Sequence, residues 1–466
     1  MRTVTLTGSQ RLQQSDLERQ GALPREVMDS AQKIVDAVRE GGDDAVRGFC
    51  LKFDGACPDS FRVPDEVVRG ALDMVDPEFL SSLRKAYAQI RDFHEREREQ
   101  SWFTTREDGT ILGVKVTPVP SVAVYVPGGR AQYPSTVLMD TVPAKVAGVP
   151  RVIMVTPPQR DGSLSAYTLA AAAVAGVDEV YAVGGAQAIG AVAYGTESIP
   201  RVSKIVGPGN AYVAAAKRYV SGDVGIDMVA GPSEVCVLAD ATADPVVVAA
   251  DLMAQAEHDP LATCYLVTDA PDLVEGVNAA VESLVAQSPR EKITRASLDH
   301  GLVVSCPNLD AAVDAVNLIA PEHLELHCDK AFDLLGRIQN AGAIFVGPWS
   351  SEPLGDYVAG PNHTLPTGGT AVFSNPLGVY DFQKRSSVIS YTPQGLEADG
   401  PAVQALAQAE GLWAHALSVG MRRKLLREQT ERFADVSAAC QDVMATAWPR
   451  KLEEPGVPNL KGGQSK

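Results

Sequence analysis

The sequence has no Cys-X-X-Cys pair, no Gly-X-Gly-X-X-Gly loop and no apolar run long enough to cross a bilayer. Each absence closes off a class of protein. The seven cysteines are scattered and odd in number, which fits reduced thiols rather than a disulfide framework. A thiolate zinc site is excluded with them, so any metal would need histidine, carboxylate or amide ligands. Basic residues are outnumbered, 41 Lys and Arg against 58 Asp and Glu, for a net charge of −17. That balance argues against binding a phosphate backbone, and no nucleic-acid partner is expected. The most apolar stretch, Leu169 to Val177, is short and alanine-rich, so no membrane partner is expected either. Met1 to Gln14 is polar and lacks the charged start and apolar run of a signal peptide. The expected location is cytoplasmic.

At 466 residues, with 45% hydrophobic and 21% charged, the chain has apolar material for more than one core. Residues 15 to about 100 read as helices, with a break at Leu51 to Gly55 and with Pro64 and Pro77 near helix starts. Arg91 to Arg98 reads as a solvated charged face. From about residue 113 the pattern changes. Apolar runs at 121–126, 151–156, 179–183 and 202–206 alternate with helix-like segments, and most stop at glycine-rich turns. The alternation recurs with runs at 235–239, 262–268, 302–305 and 343–346. Strand, turn and helix in repetition predict parallel sheets with crossover helices.

The expected fold is α/β: two tandem Rossmann-like parallel-sheet units, an N-terminal helical segment and a C-terminal helical arm. The expected boundaries are 1–112 for the helical segment, 113–232 and 233–374 for the two sheet units, 375–449 for the arm and 450–466 for a disordered tail.

In open α/β sheets, ligands gather at the carboxyl ends of the strands. Tyr125 ends the first predicted strand, Gln187 follows the third, and Asn210 follows the fourth at a helix start. Helix N-termini there offer amides to a pyrophosphate. Residue type alone also allows Tyr125 to be a core aromatic and Asn210 a plain helix cap.

Six of the seven histidines lie after residue 250, so that half is where imidazole chemistry belongs. Gln255 and His258 share one face near a helix end stopped by Pro260. Histidine with an oxygen ligand suits zinc, and a surface role fits the same pair. Pro321 to His327 is denser. Glu322 and His323 are natural general acid/base residues, although an exposed charged turn has the same composition. Gly355 to His363 is a Gly/Pro-rich loop carrying Asp356 and His363. Glu410 and His415 sit far along the chain, on the arm. His94 and His300 are read as plain structural or surface histidines.

Several segments in this order resemble the histidinol dehydrogenase family over about residues 15 to 447: Val124 to Gly129 with Pro134 to Met139, Gly184 to Ile189, Gly207 to Asn210, Ile226 to Glu234 and Ala254 to Asp259. Pro321 to Glu325, the Asp356 to Thr370 loop and Glu410 to His415 complete the likeness. The resemblance implies that Gln255, His258, Asp356 and His415 hold zinc. It implies an acid/base pair in Glu322 and His323, and NAD contacts at Tyr125, Gln187 and Asn210. It implies substrate contacts at Ser233 and Glu410, and at Gln255, His258, His323, Asp356 and His415 as well, with His363 in the same pocket. The implied reaction takes L-histidinol through bound L-histidinaldehyde to L-histidine, reducing two NAD. The resemblance also implies that the arm crosses to a partner in a homodimer. Three rivals stay open: a related dehydrogenase for another alcohol, a zinc hydrolase, and a non-catalytic binding protein of the same fold.

Overall fold

The computed structural model describes residues 1–17, 19, 23–128, 133–429 and 432–448. The chain divides into two compact units. One joins Met1–Glu99 to Pro118–Lys384, and the other joins Gln100–Thr117 to the chain from Arg385 onward. In chain order the strands are β1 (Arg2–Thr5), β2 (Arg62–Val63), β3 (Trp102–Thr105), β4 (Ile111–Pro118), β5 (Val122–Tyr125), β6 (Val152–Thr156), β7 (Glu179–Ala182) and β8 (Lys204–Val206). They continue as β9 (Gly225–Ile226), β10 (Glu234–Ala239), β11 (Thr263–Thr268), β12 (Leu302–Ser305), β13 (His323–His327), β14 (Ala343–Val346) and β15 (Gln383–Ser390).

The first unit contains two six-stranded sheets. One has the order β2-β7-β6-β5-β8-β9. Its pairs are parallel except for β2 on β7 at the edge. The other, β1-β12-β11-β10-β13-β14, is parallel throughout. Strands β5, β6, β10 and β11 are buried along their whole length. Parallel sheets covered on both faces produce such continuous apolar runs. Two parallel-sheet units are what the sequence predicted.

Helix Arg25–Phe53 ends within the predicted break, and Pro64 and Pro77 stand at helix starts. These N-terminal helices cover opposite faces of the first sheet. Ala31, Ile34 and Val35 pack with Ile189 and Val213, while Leu83, Ala86 and Ile90 pack with Val137 and Leu138. Strand β1 was not expected. Arg2–Thr5 is polar and largely exposed, and its strand character comes from pairing with β12 at a sheet edge. The charged helix also differs from expectation at one residue. His94 is buried, with Nδ1 2.7 Å from Glu97 Oε2.

The second unit is not wholly helical. It carries a three-stranded sheet, β15-β4-β3, beside helices Pro393–Ala409, Trp413–Glu428 and Val436–Ala447. The predicted break near Gly411 is present, with that glycine at φ 72° between two helices. Strand β15 is largely exposed and shows no apolar alternation, so its sequence resembles a loop. The expected tail, 450–466, lies outside the described residues. All seven cysteines are free thiols. Among the described residues no helix is long and apolar enough to cross a membrane.

Candidate active site

The first sheet reverses direction between β5 and β8. The chain builds β5, β6 and β7 outward on one side, then returns to lay β8 and β9 on the other. Such a switch point leaves a crevice at the carboxyl ends of the strands. Tyr125 is the last residue of β5, and Asn210 caps the helix Ala211–Val220 that follows β8. The Asn210 side-chain oxygen accepts from the amides of Tyr212 and Val213 at 3.0 and 3.2 Å. Gln187 is buried in the first turn of helix Gly185–Tyr194, after β7. The Gly185 amide donates to the Tyr125 hydroxyl at 3.0 Å. Burial pushes that phenol up to about 12, so it keeps its own proton to donate.

A buried ion pair sets the loop between Tyr125 and Asn210. Lys217 pairs with Asp227 and donates to the Gly207 carbonyl at 2.8 Å, while Asp227 accepts from the Gly207 amide at 2.8 Å. Gly207 has φ 109°, and a Cβ there would lie 2.2 Å from the Tyr125 carbonyl oxygen. No other residue fits. Asp140 lies beside this group, accepting from Thr364 at 2.8 Å. One lysine cannot balance two carboxylates in a dry site, and burial pushes Asp140 up to about 8. A carboxyl raised in the folded state stabilises fully below its ordinary range, and that contribution is lost as pH rises through about 8. Asp140→Asn is therefore expected to flatten the fall in stability between pH about 4 and 8. Urea unfolding of both proteins at the two ends of that window measures this. An unchanged slope would show that Asp140 is already ionised.

The second sheet reverses between β10 and β13, but its titratable cluster lies at the amino ends of those strands. Glu234 opens β10 and His323 opens β13. Glu322 accepts from the Glu234 amide at 2.9 Å, and His323 Nδ1 donates to the Glu234 carbonyl at 3.1 Å. That second bond fixes the proton on Nδ1 and aims Nε2 toward Asp356 Oδ1, 3.7 Å away. The distance is too long for a hydrogen bond, and Nε2 has no partner. Glu322 and His323 are both buried, so the alternative of an exposed charged turn does not hold.

Burial pushes Glu322 and Glu234 up to about 7 and Glu352 up to about 8. Burial also works against charge on His323, but the carboxylates of Glu352, Glu322 and Asp356 outweigh it and hold the imidazole well above its usual range. Asp356 likewise overcomes burial. Its neighbours His323, His363 and His258 keep it below the ordinary carboxylate range.

Helix Glu352–Tyr357 presents Asp356 to the end of helix Pro245–Ala256. The ligand atoms of His258, Glu352 and Asp356 lie within 4.8 Å of one another. Gln255 lies one turn before His258, and its Oε1 is buried without a partner. Nitrogen and oxygen donors facing each other, with unpartnered buried atoms beside them, fit a divalent cation such as zinc. Glu352 was missed by the sequence reading. It follows two serines and a loop, with nothing local to mark it. Glu234 lies in one of the quoted segments but received no role.

The loop 362–364 links this cluster to the first sheet's helix Pro134–Ala147. Asn362 donates to the Met139 carbonyl at 2.6 Å, His363 Nε2 lies 3.4 Å from Thr136 Oγ1, and Thr364 reaches Asp140. His363 Nδ1 donates to the Asp356 carbonyl at 3.1 Å. Ser233 immediately precedes β10, and its carbonyl accepts from Thr263. Glu410 caps helix Pro393–Ala409, and His415 lies in the first turn of helix Trp413–Glu428. Both belong to the second unit. His300 is an exposed helix cap.

Comparison with known proteins adds a separate line of support. The family model described as histidinol dehydrogenase matches residues 17–423. A histidinol dehydrogenase from Bacillus subtilis is 50% identical over 426 residues, covering 91% of this chain and 99% of that protein. One from Aquifex aeolicus is 51% identical over 404 residues, covering 86% and 93%. The crystal structure of histidinol dehydrogenase from Elizabethkingia anophelis superposes with a TM-score of 0.87 at 33% identity, covering 92% of this chain and 99% of that one.

Proposed function

This chain belongs to the histidinol dehydrogenase family, and from that premise we propose that it oxidises L-histidinol through bound L-histidinaldehyde to L-histidine. It is an NAD-dependent oxidoreductase of histidine biosynthesis. The observation that best supports the reaction is the buried Glu322–His323 pair on the Glu234 backbone, beside the His258, Glu352 and Asp356 donors.

With a bound cation offsetting the carboxylates that otherwise hold its imidazole protonated, His323 would take the substrate's hydroxyl proton at Nε2, the nitrogen left without a partner. Its Nδ1–H stays on the Glu234 carbonyl and holds the ring in place. The aldehyde must add water before a second oxidation. Glu322, raised to about 7, is matched to accept that water's proton near neutrality. His323 then serves as base again. Tyr125, Gln187 and Asn210 would hold NAD, which would supply the hydride acceptor for both oxidations. Zinc, held by Gln255, His258, Asp356 and His415, would orient the imidazole and amine of the substrate and offset the carboxylate charge around His323. Ser233 and Glu410 hold the substrate, and His363 lines the same pocket. The enzyme works as a cytoplasmic homodimer in which Glu410 and His415 come from the second copy.

The test is NADH formation with L-histidinol. Absorbance is expected to rise, to stop after chelation and to return with added zinc. No NADH from histidinol, alongside NADH from a different alcohol, would reassign the substrate.

A further inference from the structure

A second set of titratable side chains converges beside the proposed active site, on residues that the mechanism does not use. Glu325 and His327 are two apart on β13 and face the same side. Asp251 meets them from helix Pro245–Ala256. His327 Nε2 lies 3.3 Å from Asp251 Oδ2 and 3.5 Å from Glu325 Oε2. The three ligand atoms all fall within 4.8 Å of one another. All three residues are more than nine-tenths buried: Asp251 is 8% exposed, Glu325 0% and His327 3%. Each of the three converging atoms lacks a hydrogen-bond partner.

We propose that Asp251, Glu325 and His327 form a second divalent-cation site with a structural role. The facing atoms of the two carboxylates and the imidazole make no hydrogen bond with one another in this arrangement, and each is costly to bury unpaired. A cation between them satisfies all three atoms at once. The two separations from His327, 3.3 and 3.5 Å, suit one, because tetrahedral ligands at about 2.0–2.2 Å from zinc lie roughly 3.3–3.6 Å from each other. Two oxygens and a nitrogen, with no thiolate, select zinc or manganese over softer ions. Three protein ligands leave a fourth tetrahedral position for water.

The other oxygen of Glu325 is already held. Oε1 accepts from the Glu352 amide at 2.6 Å, at the start of the helix that carries Asp356. Such outer bonds orient a ligand. An ion at Glu325 therefore braces the helix that presents donors to the first site.

The test counts metal in the full-length protein, after chelation and re-equilibration with zinc, and does not depend on the substrate. The expected content is two zinc per chain. His327→Gln and Asp251→Asn should each lower it to one, while Asp356→Asn keeps the second ion and loses the first. One zinc per chain in the wild type overturns the proposal, as does a content of two that folded His327→Gln leaves unchanged. Anomalous scattering at the zinc edge, from wild-type crystals, decides the matter even if the variants unfold. A peak between Asp251, Glu325 and His327 supports the site. Its absence refutes it.

Discussion

His323→Ala is expected to lower kcat by about 10²–10⁴-fold, the usual contribution of a placed proton-transfer group. Metal content and NAD affinity should be unchanged, because His323 is outside the His258, Glu352 and Asp356 donor group and outside the Tyr125 crevice. The variant leaves the buried Glu234 carbonyl without its hydrogen bond, a cost of about 1–3 kcal/mol in stability, so a thermal melt of the variant accompanies the assay. Glu322→Gln separates the two oxidations. It should slow the oxidation of supplied histidinaldehyde far more than the first, alcohol-oxidising turnover. Single-turnover NADH traces with each substrate measure the two steps. Equal losses on both steps would assign Glu322 to holding β10 in place through the Glu234 amide rather than to activating water.

The second large effect concerns His415. His415→Ala should be nearly inactive and should bind the active-site metal weakly, since it removes one nitrogen donor from the proposed set. Mixing it with His323→Ala and allowing subunits to exchange should restore activity. In a mixed dimer, one of the two sites pairs an intact His323 with an intact His415 from the other copy, and the remaining site lacks both. Random exchange at equal amounts makes half of the dimers mixed, so about a quarter of wild-type activity is expected from a two-fold assembly. No recovery after demonstrated exchange would place His415 and His323 of each site on the same chain.

The central strands were legible because β5, β6, β10 and β11 are buried on both faces. An apolar run between glycine turns has few other readings. The edge strands β1 and β15 were not legible. Their residues are polar, and only pairing with a neighbour makes them strands. Glu322 and His323 could be picked out because they are adjacent in sequence and chemically apt. That both would engage the backbone of Glu234 was not readable, since it depends on the pairing of β10 with β13. Glu352 and the Asp251, Glu325 and His327 group share that difficulty. Each joins residues separated by long stretches of chain, brought together when helix Pro245–Ala256 packs near β13 and helix Glu352–Tyr357. The solvated face read at Arg91 to Arg98 does not extend to His94, because a densely charged helix can still turn one residue into the core.

The most direct measurement of the whole account is the number of NADH formed per L-histidinol consumed, with the reaction run to completion on limiting substrate. Two NADH, with L-histidine as product and no aldehyde released, is the predicted result. One NADH, with histidinaldehyde accumulating in solution, would contradict a site in which Glu322 and His323 together carry the substrate through both oxidations.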